Sequence, residues 1–154
     1  MKTNNEPIFK ETNAMYAKAK RADNGEWIKG YAVPVGEKLY IVSEANVNSD
    51  ENALIINATN EVDKKTLCNF TGKWTVKGER VWENDKVVYH FDENVIGYVR
   101  FGPYINVFPN DMHVDEVHYG FYVEWPTRPN MRKDIGYWFG TEGMETVVAG
   151  NLYD

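Results

Sequence analysis

Thr66–Phe101 reads TLCNFTGKWTVKGERVWENDKVVYHFDENVIGYVRF, a series of short alternating segments broken by turn residues. Val87, Tyr89 and Phe91 fall on one side of an extended chain and Lys86 and His90 on the other, because successive side chains of a strand point to opposite faces. After Asp92-Glu93-Asn94 a second alternation sets Val95, Val99 and Phe101 against Tyr98 and Arg100. Two such runs around a polar turn predict a β-hairpin. Upstream, Thr71-Gly72 and the glycine at Gly78 predict turns, and Trp82-Glu83-Asn84-Asp85 predicts a corner.

The same pattern extends in both directions. Tyr16–Arg21 is joined to Trp27–Val35 through Asp23-Asn24-Gly25, a triplet that tolerates positive φ. Lys38–Val42 follows, then a polar loop over Ser43–Asn52 and a short apolar strand over Ala53–Ala58. Pro103 is expected to limit pairing. His118–Trp125 alternates most clearly, with Tyr119, Phe121, Val123 and Trp125 directed inward. Ile135–Phe139 and Thr146–Leu152 are expected closing strands. No long stretch keeps a 3.6-residue apolar period, so helix is a minor component. The fold class that follows is mainly β: one domain over residues 14–154, built as a small bent barrel or sandwich. Its barrel is expected at about Glu61–Trp125, with the terminal strands packed on it. Residues 1–13 are expected to form a flexible arm.

The chain has 154 residues, five Trp, ten Tyr and seven Phe, a supply that suits pleated surfaces. Its net charge of −6 disfavours a broad phosphate-binding face. Cys68 is the single cysteine, so no internal disulfide can form. Neither a secretion signal nor a run of roughly 20 apolar residues is evident, and a cytoplasmic, non-membrane protein is expected.

Three segments carry a resemblance. They are Asp23-Asn24-Gly25-Glu26-Trp27-Ile28-Lys29-Gly30, then Thr66-Leu67-Cys68-Asn69-Phe70-Thr71-Gly72 with Val81-Trp82-Glu83-Asn84-Asp85-Lys86-Val87, and finally Val148-Ala149-Gly150-Asn151-Leu152-Tyr153-Asp154. In this order they resemble the YopX family of small phage and prophage proteins. The resemblance implies a β-rich domain working in a bacterial cytoplasm, and it carries over no catalytic residue.

Candidate sites follow from residue chemistry. Glu83 and Asp85 could share a proton or a cation, but an Asp entering a strand more often accepts backbone N–H bonds. Asp111, His113, Asp115, Glu116 and His118 are the densest set of metal-ligating types, yet they run along one loop without the spacing that preorganises zinc. Cys68 lies in an apolar run with no activating base in view. No metal, cofactor or catalytic role is therefore expected. Two contact candidates remain. Trp74 reads as an exposed tryptophan in a turn, suited to a protein partner. Arg128, Arg132 and Lys133, near Trp125, Tyr137 and Trp138, could hold single-stranded nucleic acid by pairing and stacking. The favoured reading is a non-enzymatic accessory factor that binds a host or phage protein and forms a homo-oligomer. The alternative is a nucleic-acid-binding barrel using the Arg128–Lys133 loop.

Overall fold

The computed structural model describes residues 16–43, 46–50, 52–106, 116–139 and 146–154. The arm expected over residues 1–13 lies outside them. The fold is mainly β, as the alternation requires, and it contains two compact units that divide at Asn69 and Phe70.

The first unit holds β1 (Tyr16–Arg21), β2 (Trp27–Val35), β3 (Lys38–Val42), the two-residue strands β4 (Asn48–Ser49) and β5 (Leu54–Ile55), and the start of β6 (Glu61–Trp74). Antiparallel pairing runs β1–β2, β2–β3, β3–β6 and back from β6 to β1, which closes a four-stranded barrel. A register shift between Lys18 and Lys20 bends β1 so that it meets both neighbours. So narrow a barrel leaves little interior space. Ala17, Ala19, Ile41 and Val62 fill it, with Leu39 and Leu67 against them. At Gly30 an added Cβ would stand 2.3 Å from the Val42 carbonyl oxygen, so this close approach admits glycine alone. The expected turn at Asp23-Asn24-Gly25 is present, with Gly25 at φ 73° and Arg21 bonded to Asp23 at 2.9 and 2.6 Å.

Asn60 organises the end of the intervening loop. Its amide donates to the carbonyls of Ile41 (3.0 Å) and Asn46 (2.9 Å), and its oxygen accepts the Asn57 N–H at 2.9 Å. The loop expected at Ser43–Asn52 therefore includes a minimal strand, and the apolar run after it narrows to exposed Leu54–Ile55.

The second unit holds the end of β6, β7 (Arg80–Trp82), β8 (Asp85–Tyr89), β9 (Asp92–Ile105), β10 (Val117–Glu124), the single turn α1 (Ile135–Trp138) and β11 (Val147–Asn151). Its sheet is antiparallel in the order β10-β9-β8-β11. The predicted β8–β9 hairpin forms, pairing Lys86 with Tyr98 and Val87 with Gly97. Its turn is His90-Phe91 rather than Asp92-Glu93-Asn94: Tyr89 pairs with Asp92, and Phe91, expected on the face of Val87 and Tyr89, is exposed in the turn. Val81, Val87, Val95, Val99, Val123 and Trp125 make the core, with Ile135, Trp138 and Phe139 packed against them. Trp125 rests on Gly97, where a Cβ would come within 2.8 Å of the ring.

Other expectations change as well. The barrel lies in the first unit rather than at Glu61–Trp125, because β1 pairs on both of its sides and the later strands form an open sheet instead. Thr71-Gly72 makes no turn: β6 runs through it with a register shift, and Gly72 absorbs the bulge at φ 77°. Pro103 lies inside β9 opposite Tyr119. Since β8 pairs with β9 only as far as Tyr98, one side of β9 has no strand partner beyond it among the described residues, and a missing N–H there forfeits no ladder bond among them. Finally, Ile135–Phe139 is not a strand. Ile135, Trp138 and Phe139 are buried at i, i+3 and i+4, which is helical spacing, and one turn satisfies it.

Candidate functional site

The corner Trp82–Asp85 and the closing segment Val148–Asp154, two of the three quoted motifs, meet in the fold. Asp85 is 2% exposed. Its carboxyl group accepts the Trp82 N–H at 2.8 Å and the Asn151 side-chain amide at 2.9 Å. The same amide donates to the Glu83 carbonyl (3.2 Å), and the Asn84 carbonyl accepts from the Leu152 N–H at 3.0 Å. Asp154 caps the end by accepting the Asn151 N–H at 2.7 Å. Asn84 takes φ 66°, a left-handed conformation that Asn tolerates, and its side-chain oxygen accepts from Arg100 at 2.9 Å. The corner is thus a structural clasp, the reading preferred for Asp85.

The basic loop is held to the sheet. Arg132 faces Asp134 through both Nε and Nη2, the latter at 3.2 Å, and its guanidinium lies 4.4 Å from the centroid of the Tyr137 ring. Hydrogen bonding to Asp134 raises the Arg132 pKa above its ordinary value. The Arg132 carbonyl accepts the indole N–H groups of Trp125 (3.2 Å) and Trp138 (3.0 Å). Lys133 donates its backbone N–H to Asn106 at 2.7 Å and accepts from Val123 at 2.8 Å. Arg128 stands 3.6 Å from Asp92. The two arginines of this cluster therefore face carboxylates, and Trp125 and Trp138 belong to the core.

Trp74 is on a strand, opposite Arg80, and not in a turn. Its ring is half-buried, with the Arg80 guanidinium 4.6 Å from its centroid and Phe70 edge-on at 5.2 Å. Cys68 is buried, its thiol donating to the Thr66 carbonyl at 3.3 Å. Asp111, His113 and Asp115 lie outside the described residues. Glu116 and His118 are exposed, and no group of three metal-ligating side chains occurs among the described residues.

The sequence reading missed the outer end of the β9–β10 pair. Register places Phe101, Pro103 and Ile105 opposite Phe121, Tyr119 and Val117 on one face. This face continues the core face of the sheet past the point where core residues cover it. Phe101 is 49% exposed, Ile105 40%, Val117 68% and Tyr119 75%. Phe101 packs edge-on against Tyr119 (5.4 Å) and Phe121 (4.8 Å), so the patch is contiguous. Tyr119 was expected to point into the core. Its facing is as the alternation demands, but nothing among the described residues covers it. A run of apolar residues outlasting its partner strands was the available signal.

The opposite face stacks Tyr104 between His118 (5.3 Å) and Tyr122 (5.2 Å). Burial raises both tyrosine pKa values above the ordinary 10.0, with Asp134 adding to the effect on Tyr104 and Glu124 to that on Tyr122. The folded state holds these protons more tightly than the unfolded chain. Their contribution is complete below the ordinary tyrosine pKa and is lost as pH rises through the raised values. Spectrophotometric titration should show tyrosines that ionise late, and urea midpoints should fall as pH climbs past about 10. Unchanged late ionisation in a Tyr104→Phe, Tyr122→Phe double variant would reject the assignment.

Taken together, these features define a small mainly-β protein with a closed four-stranded barrel, a second four-stranded sheet and an exposed apolar ribbon. No family model, curated protein or solved structure matches the chain. Among the described residues no helix is long and apolar enough to cross a membrane.

Proposed function

We propose that this chain is a non-enzymatic protein-binding accessory factor. The observation that carries the reading is the contiguous apolar face of Phe101, Ile105, Val117 and Tyr119. Patches of this kind, rimmed by polar residues and containing aromatics, mark protein contact surfaces. Two of the groups weighed for chemistry are engaged in the fold: Asp85 holds the corner and Cys68 is buried against a carbonyl. The resemblance of the corner and closing motifs to YopX proteins supports a phage or prophage origin and a bacterial cytoplasmic setting. Self-association belongs to the same proposal, because β10 and β11 are the edge strands of their sheet. The carboxylates facing Arg128 and Arg132 weigh against the nucleic-acid alternative.

The test compares tagged wild-type, Tyr119→Lys and Arg132→Glu proteins in extracts of phage-infected cells with and without nuclease, with light scattering on each purified protein. Loss of a truncated hot-spot aromatic should weaken a partner about tenfold or more. Tyr119→Lys is expected to lose the captured protein or the self-associated species while remaining folded. Capture that survives Tyr119→Lys but disappears with nuclease or with Arg132→Glu would defeat the proposal.

A further inference from the structure

We draw no further inference here: the strongest candidate, the face of the β1–β2 pair where Lys18, Lys20 and Lys29 gather around Trp27, carries none because Lys18 is buried with its ammonium on the Trp27 ring, the register sets Asp63 opposite Lys20, and nothing in the structure shows what covers it.

Discussion

Trp125→Ala is expected to lower the unfolding free energy by about 3–5 kcal/mol, the usual cost of truncating a buried tryptophan. The ring is 1% exposed, lies 4.9 Å from Trp138 and 6.0 Å from Tyr89, and packs on the bare backbone of Gly97. Its removal opens a cavity that backbone on one side and rigid rings on the other cannot easily close. The loss is a large part of the roughly 5–15 kcal/mol that holds an ordinary domain together. Urea unfolding followed by far-UV circular dichroism measures it. Gly97→Ala probes the same contact from the opposite direction, pushing a methyl group toward the ring, and should cost about 1–3 kcal/mol. A loss below about 1 kcal/mol in Trp125→Ala would show that the second core does not centre on this ring.

Asp85→Ala is expected to cost roughly 2–5 kcal/mol, because the Trp82 N–H and the Asn151 amide are left buried without their acceptor. Asn151→Ala should destabilise in the same direction. The double variant should lose less than the sum, since both changes break one network. The damage should be local before it is global: β11 is held to the corner by these bonds, so amides of 147–151 should exchange faster than those of β9. Additive losses, or faster exchange at β9 than at β11, would remove the clasp from the account.

What the sequence determined by itself were the features that depend on near neighbours. The Asp23-Asn24-Gly25 turn, the bounds of β1, β2 and β3, and the succession of β8 and β9 arise from side-chain alternation and turn chemistry within a few residues, although the turn between β8 and β9 falls at His90-Phe91 and not at Asp92-Glu93-Asn94. The cap at Asp85 was legible for the same reason, as its bond to Trp82 spans three positions. The tertiary structure decided what depends on distant partners. Asn151 reaches Asp85 across 66 positions, so the corner motif gave no hint of its second donor. The barrel closed in the first unit because β1 found β6 as a second neighbour, and periodicity assigns a face but never a partner. Gly72 became a bulge and Pro103 a strand residue according to which sides of β6 and β9 were paired. Ile135–Phe139 is too short for alternation and helical spacing to be told apart until Trp138 meets Trp125. The β9–β10 surface followed the same logic: alternation set which way Phe101 and Tyr119 point, and the extent of the neighbouring strands determined that they face solvent.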